Sequence, residues 1–185
     1  MIVGLGNPGP TYANTRHNVG YLVADVLAAR IGAGLKAHAS KRADVVEGRL
    51  AGERVVVGRA RSFMNDSGGA VSTLAKYYDV ESDRIVVIHD EIDIGLGQLR
   101  VKFGGGDNGH NGLKSVRKAL GTGEFFRVRI GVGRPNGRAE VHDHVLKSFS
   151  SAERKELPLL VDEAADAVES LISKGLEPTQ AAFNR

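Results

Sequence analysis

The chain has 185 residues, a formal net charge of +3 at pH 7 and no cysteine. This length predicts one domain, residues 1–185, with a full hydrophobic core, and the composition excludes disulfides, thiol catalysis and thiolate metal sites. Since no apolar run approaches the roughly 20 residues of a membrane helix and the start does not resemble a signal peptide, we expect a cytoplasmic protein without a membrane partner. The modest positive charge is compatible with a polyanionic partner.

Apolar runs and turn signals alternate along the chain and predict an α/β fold, a twisted mixed β-sheet flanked by α-helices. The predicted strands are 2–5, 44–50, 54–60, 85–88, 98–103 and 127–132, and the predicted helices are 18–31, 67–78 and most of the last 35 residues. Ser150 and Glu153 form a capping-box pattern before the final helical stretch, whose apolar stripe stops at Gly175. Pro158 is expected to kink or start a helix.

The first loop, Gly4 to Gly9, allows two interpretations. Its glycines match the dinucleotide fingerprint G-x-G-x-x-G, and Asp25 lies at about the distance of the ribose acid. However, Pro8 and Pro10 prevent the immediate helix that the fingerprint needs, and Asp25 falls inside an apolar helical pattern. Nucleotide binding is therefore the weaker interpretation.

Polar side chains gather after the predicted strands, where α/β proteins place their sites. They are Asn7, His17, Asn65, Asp90 and Asn111. A neutral histidine can accept a proton from water, and a carboxylate on its other ring nitrogen fixes the tautomer. Asparagine amides can hold ester and ribose groups without adding charge. The set suits hydrolysis by an activated water, with His17 and Asp90 expected within about 2.6 to 3.2 Å.

Structural interpretations of the same residues stay open. Each asparagine could simply cap a helix or adopt a left-handed turn, and Asp90 and Asp93 could be loop carboxylates or ligands of a hard cation. His142 and His144 would share a face of a strand, which suggests a metal pair, although no third ligand is evident. Two further histidines are expected to be structural or surface residues: His38 and His89.

Five motifs, taken together and in order, resemble the bacterial peptidyl-tRNA hydrolases over residues 2 to about 147. They are Gly4-Leu5-Gly6-Asn7-Pro8-Gly9 with Thr15-Arg16-His17-Asn18, Phe63-Met64-Asn65 with Ser67-Gly68, His89-Asp90-Glu91 with Asp93, Gly104-Gly105-Gly106 with Gly109-His110-Asn111-Gly112, and Arg129 to Pro135. The resemblance implies a monomeric enzyme without metal or cofactor. It would cleave the ester between a peptide and the 3′-terminal ribose of tRNA.

The resemblance also implies residue roles. His17 would be the catalytic base and Asp90 its orienting partner. The substrate-binding residues would be Asn7 and Asn111, which position the ester, ribose or water, Asn65 with Met64, which bind the nascent peptide, and Tyr12, which lies on the product side.

The basic residues Arg100, Lys102 and Arg129 would bind the acceptor-stem phosphates of the tRNA. Residues 141–155 would form a mobile lid over the cleft. Family members usually carry more residues before the first strand, so the strand at Ile2 is expected to be frayed.

Two other classes of protein compete with the hydrolase. An RNA-binding module would explain the basic strands around Lys102 and Arg129 but would not need His17 near Asp90. A nucleotide-dependent oxidoreductase would explain the glycines but would need a helix directly after Gly9. Release of peptide from peptidyl-tRNA, compared with binding alone or with bound NAD, separates the three.

Overall fold

A seven-stranded mixed sheet forms the centre of the molecule in the computed structural model, which describes residues 1–137 and 139–184. The strands are β1 (Ile2–Gly4), β2 (Lys36–Ala37), β3 (Ala43–Leu50), β4 (Glu53–Ala60), β5 (Val86–Glu91), β6 (Leu99–Phe103) and β7 (Phe126–Gly131). Their order is β2-β3-β4-β1-β5-β7-β6. The inner strands β4, β1, β5 and β7 are parallel, and the other pairings are antiparallel.

Helices cover both faces of the sheet. They are α1 (Val19–Ile31), α2 (Ser67–Tyr77), α3 (Asn111–Leu120), α4 (Val141–Val145), α5 (Ser151–Lys174) and α6 (Leu176–Phe183). Because alternate strand residues point to opposite faces, Ile88 packs in the core under α1 and α5, whereas Val87 packs in the core under α2 and α3. The predicted mixed sheet with flanking helices is confirmed. No helix in the described part of the chain is long and apolar enough to cross a membrane.

The structure corrects three boundaries. The central strand does not end at Ile88 but continues to Glu91, so Asp90 lies in a strand. Pro158 does not start a helix but lies inside α5, which begins seven residues earlier, directly after the capping-box residue Ser150. The first strand is not frayed, because Ile2 is 1% exposed and the Val86 N–H donates to the Met1 carbonyl.

Helix α1 lies directly on the sheet through two glycines. A Cβ on Gly4 would overlap the Gly20 carbonyl oxygen, and a Cβ on Gly20 would overlap the Ile88 carbonyl oxygen. The backbones of α1, β1 and β5 therefore approach without intervening side chains. This packing places the loop that precedes α1 beside the carboxyl ends of β1 and β5.

Candidate active site

Asp90 lies at the centre of the polar cluster and is bonded through both carboxylate oxygens. Its Oδ2 is 2.8 Å from His17 Nδ1, and its Oδ1 is 2.8 Å from His110 Nε2. The Asp90 side chain is only 1% exposed. The predicted approach of His17 to Asp90 is confirmed, although the acid comes from the end of a strand and not from a loop.

The environment keeps Asp90 ionised. Burial by itself raises the pKa of this carboxyl, but the attraction and hydrogen bonds of His110 and His17 outweigh it, so the pKa lies below its usual value of 3.8. An ionised Asp90 accepts a hydrogen bond from His17 Nδ1–H. In the neutral imidazole of His17, the other ring nitrogen, Nε2, then carries its lone pair toward the cleft.

His110, which the sequence motifs contain but do not mark as a site residue, is the second partner of Asp90. The Leu113 backbone N–H donates to His110 Nδ1 at 3.2 Å, which makes His110 the N-cap of α3. Because a backbone N–H can only donate, Nδ1 carries no hydrogen and Nε2–H donates to Asp90. The signal in the sequence was a histidine directly before a helix start, next to the glycine-rich loop.

Hydrogen bonds also set the orientation of Asn7. Its backbone N–H donates to Asn18 Oδ1 at 2.8 Å, and Asn18 Nδ2 donates back to the Asn7 carbonyl at 2.9 Å. The Met64 N–H donates to Asn7 Oδ1 at 2.7 Å. Since the oxygen of the Asn7 amide faces Met64, its NH₂ group is the part that can donate to a ligand.

The residues predicted to be catalytic or to bind the substrate line one cleft. Its first part is walled by Asn7, Tyr12, His17, Phe63, Met64, Asn65, Asn111, His142 and Leu146. The adjoining part shares His17, Asn111 and His142 and extends toward Asp90, Asn108 and Val141. Phe63, which sequence reasoning did not select as a site residue, is 57% exposed and meets Tyr12 edge to face with ring centroids 6.2 Å apart.

The predicted basic residues lie on the two last strands, beyond β5. Arg100 is paired in register with Arg129, and Lys102 with Arg127, so the four side chains share one face of the sheet. Arg129 donates to Glu91 Oε1 at 2.9 Å. Burial, followed by repulsion from Arg129 and Arg127, lowers the pKa of Lys102. The two strands therefore carry a basic patch that Glu91 partly neutralises.

Arg127 is the buried member of the four basic residues on these strands. It is fully buried and donates to the carbonyls of Gly105, Gly106 and Gly123. These bonds hold the glycine-rich loop that leads to His110.

Comparisons with known proteins identify the family. The family model described as peptidyl-tRNA hydrolase matches residues 1–185. The chain belongs to the peptidyl-tRNA hydrolase family.

Relatives of that name cover almost the whole chain. A peptidyl-tRNA hydrolase of Mycolicibacterium smegmatis is 59% identical over 180 residues, which are 97% of this chain and 94% of the relative. One of Streptomyces coelicolor is 57% identical over 189 residues, with 100% and 94% covered. The crystal structure of peptidyl-tRNA hydrolase from Acinetobacter baumannii matches with a TM-score of 0.91 and 35% identity, covering 97% of this chain and 91% of that one. The resemblance, the fold class and the hydrolase class are confirmed.

The interpretation of His142 and His144 as a metal pair on a strand face is wrong. Both lie in helix α4, where residues two positions apart do not share a face. His144 Nε2 is 2.9 Å from the Gly133 carbonyl, which it contacts as a donor, while His142 lines the cleft. Asp93, for which the sequence left a loop carboxylate and a cation ligand open, accepts hydrogen bonds from Arg134 and Asn108.

His38 and His89 are both buried, which fits a structural role and not a surface position. His89 Nδ1 donates to the Asp90 carbonyl at 2.8 Å. Burial, with a smaller contribution from His110, lowers the pKa of His89 to about 3.

Helix α4 lies along one wall of the cleft, and the chain after it is fastened to the loop before His17. The Arg16 N–H donates to the Lys147 carbonyl, and the Phe149 N–H donates to the Asn14 carbonyl. The Arg16 side chain contacts Glu153 at 2.6 Å. These bonds connect the predicted lid, residues 141–155, to the loop that contains Asn14 and Arg16.

Proposed function

We propose that this enzyme hydrolyses the ester between the peptide and the 3′-terminal ribose of peptidyl-tRNA, with water activated by His17 and Asp90 and without a metal ion. The observation that carries the proposal is the 2.8 Å contact between His17 Nδ1 and Asp90 Oδ2. In the neutral ring of His17, this contact reserves Nε2 as the proton acceptor in a cleft rimmed by asparagine amides.

In the proposed reaction, His17 Nε2 accepts a proton from water as the water oxygen bonds to the ester carbonyl carbon. The carbonyl π electrons move to the oxygen, which becomes an oxyanion. When the intermediate collapses, the bond to the ribose oxygen breaks and that oxygen takes the proton from His17 Nε2. Asp90 stabilises the imidazolium that exists between these two transfers.

The asparagines would orient the substrate and stabilise the oxyanion. The backbone N–H of Met64 already donates to the oxygen of the Asn7 amide. The Asn7 NH₂ group is therefore the donor for the ester carbonyl or the oxyanion of the substrate. Asn111, in the wall shared by both parts of the cleft, is suited to position the ribose end or the water. Asn65 and Met64, with Tyr12, would hold the peptide.

The hydrogen bonds of His110 support chemistry without a metal. The ligand atoms of His17, Asp90 and His110 lie within 4.8 Å of one another, as in a three-ligand site. A neutral histidine that binds a metal through Nε2 carries its hydrogen on Nδ1. In His110 that nitrogen faces the Leu113 N–H, so metal binding would break the cap of α3.

The tRNA would bind across the last strands of the sheet. Arg100, Lys102 and Arg129 would contact acceptor-stem phosphates, with Arg129 exchanging part of its bond to Glu91 for the phosphate. We further propose a cytoplasmic monomer with one domain over residues 1–185. Its lid would be residues 141–155, and in the structure Arg16 fastens this segment both at the His144 carbonyl in α4 and at Glu153 in α5.

A single assay tests the proposal. Purified enzyme is mixed with N-acetylaminoacyl-tRNA in excess EDTA, and the released N-acetylamino acid and free tRNA are measured over time. Intact activity in EDTA supports metal-free hydrolysis, whereas loss of activity that zinc restores would overturn it. Binding of the tRNA without release would contradict the enzyme function itself.

A further inference from the structure

One imidazole joins two separate parts of the site. His110 Nε2 donates to Asp90 Oδ1 at 2.8 Å, and Asp90 in turn orients His17. His110 Nδ1 accepts the Leu113 N–H at 3.2 Å and so caps α3, whose first residue is Asn111. The base and the substrate-facing amide are therefore both connected to His110.

The surroundings of His110 allow it little freedom. Its side chain is 10% exposed, and its ring lies 5.1 Å from the ring of His17 and 5.0 Å from that of His89, measured between centroids. The bond to Leu113 requires a bare Nδ1, which in turn places the hydrogen of the neutral ring on Nε2. The same ring therefore supplies Asp90 with a donor whose direction is fixed.

Asp90 needs that second donor. A buried carboxylate is stable only when its oxygens are satisfied, and His17 can satisfy just one of them. Without the bond from His110, Oδ1 would be left unpaired in the interior, so the carboxylate would turn toward another partner or water. Its contact with His17 Nδ1 would then no longer hold the ring in one orientation.

We propose that His110 is a positioning residue for the hydrolysis, through two distinct contacts. Its Nε2–H holds Asp90 in the orientation that fixes the tautomer of His17, and its Nδ1 holds the first turn of α3 so that Asn111 faces the same cleft. This inference rests on the proposed function, because it takes His17 as the base.

Two substitutions separate the contacts. In His110→Asn, the side-chain oxygen replaces Nδ1 as the helix cap but cannot reach Asp90. In His110→Gln, the amide NH₂ replaces Nε2–H as the donor to Asp90, while the cap is lost. We expect His110→Asn to lower kcat on the order of ten- to a hundredfold, the range for a hydrogen bond to a charged group, with KM nearly unchanged. His110→Gln should keep kcat within a few-fold and raise KM several-fold, and His110→Ala should show both defects.

A matched control comes from a histidine that is remote from the cleft. His38 Nδ1 likewise accepts a backbone N–H, from Ser40 at 3.1 Å. We expect His38→Asn to leave both kcat and KM unchanged. If His110→Asn and His110→Gln lowered kcat equally and raised KM equally, the role of His110 would be merely structural. That result would overturn the inference.

A readout without substrate keeps this inference apart from the proposed function. In ¹⁵N spectra of the free enzyme, His17 should appear as the Nδ1–H tautomer and His110 as the Nε2–H tautomer. In His110→Asn the His17 signal should move toward a mixture of tautomers. An unchanged tautomer together with wild-type kcat in that variant would overturn the role of His110 alone. Wild-type turnover in a variant that lacks His17 would instead refute the proposed function.

Discussion

Arg16 and Glu153 form a short ion pair, 2.6 Å between Nη2 and Oε1, that joins the residue before His17 to the first turn of α5. The same Glu153 carboxylate accepts the Ser150 N–H of the capping box. One pair thus fastens both the loop that holds His17, the proposed base, and the chain that returns from α4.

This pair predicts a pH-dependent stability. Burial raises the pKa of Glu153, but bonds from Arg16 and Ser150 outweigh it, so the folded pKa lies below the usual 4.5. The stabilisation is therefore fully present above about pH 5 and disappears as pH falls through the folded pKa. Urea unfolding of wild type and Glu153→Gln should show a difference at pH 7 that shrinks below pH 4. A constant difference across this range would contradict the assignment.

A second prediction concerns His17, the proposed base. We expect His17→Ala to lower kcat by roughly two to four orders of magnitude, the range for a positioned general base, with a melting temperature close to wild type. Steady-state hydrolysis of N-acetylaminoacyl-tRNA and thermal unfolding measure the two effects. A loss of less than tenfold would mean that another group accepts the proton.

The fixed tautomer of His110 leads to a third prediction, on Asp90→Asn. Because His110 Nε2–H can only donate, the amide oxygen of the new side chain must face His110 and its NH₂ must face His17. His17 Nδ1 would then accept, which puts the hydrogen on Nε2 and removes the base. This nearly isosteric variant should be about as inactive as His17→Ala. Activity near wild type would show that the tautomer does not matter.

The basic patch should affect tRNA binding and not ester cleavage. Each phosphate contact contributes roughly 0.7 to 0.9 to the slope of log affinity against log salt, so replacing Lys102 and Arg129 by Ala should flatten the slope by about one to two. Cleavage of a short ester that ends at the terminal adenosine should be nearly unchanged. The exposed cations Lys36 and Arg54 serve as a control with the same charge change. Equal loss on both substrates would place the patch in the catalytic site or the fold.

Arg127 supplies a prediction on stability. Lysine at position 127 keeps the charge, but its single ammonium group cannot reproduce the planar guanidinium, whose two terminal nitrogens donate to three carbonyl groups. Losing about two buried hydrogen bonds should lower the free energy of unfolding by roughly 2 to 3 kcal/mol. The exposed Arg100→Lys should change it by less than about 0.5 kcal/mol. Urea denaturation of both variants measures the effect, and equal stabilities would contradict the role of Arg127.

The sequence predicted the main elements because apolar periodicity reports burial. Helix 18–31 and the hairpin of β3 and β4 are found within one or two residues of their predicted bounds. The end of β5 was missed since His89, Asp90 and Glu91 are polar and resemble a loop, yet all three are buried. Their burial depends on partners from distant parts of the chain, and local patterns do not encode those partners.

The site was predicted unevenly for the same reason. His17, Asp90 and the asparagines stand out as polar residues next to glycine-rich turns. The role of His110 depends on which of its nitrogens faces Leu113, a relation that appears only once α3 has a defined first turn. His142 and His144 alternate as strand residues would, but the chain there forms a single short helix against the Arg16 loop.

The absence of a side chain at Gly20 has a consequence for the distance on which the chemistry depends. Gly20 lies three residues after His17 and touches the carbonyl of Ile88, two residues before Asp90. The distance between the backbone segments that carry His17 and Asp90 is thus set by two main chains in direct contact. A single added methyl group at position 20 would act as a spacer that moves His17 away from Asp90, although no residue of the cleft itself is replaced.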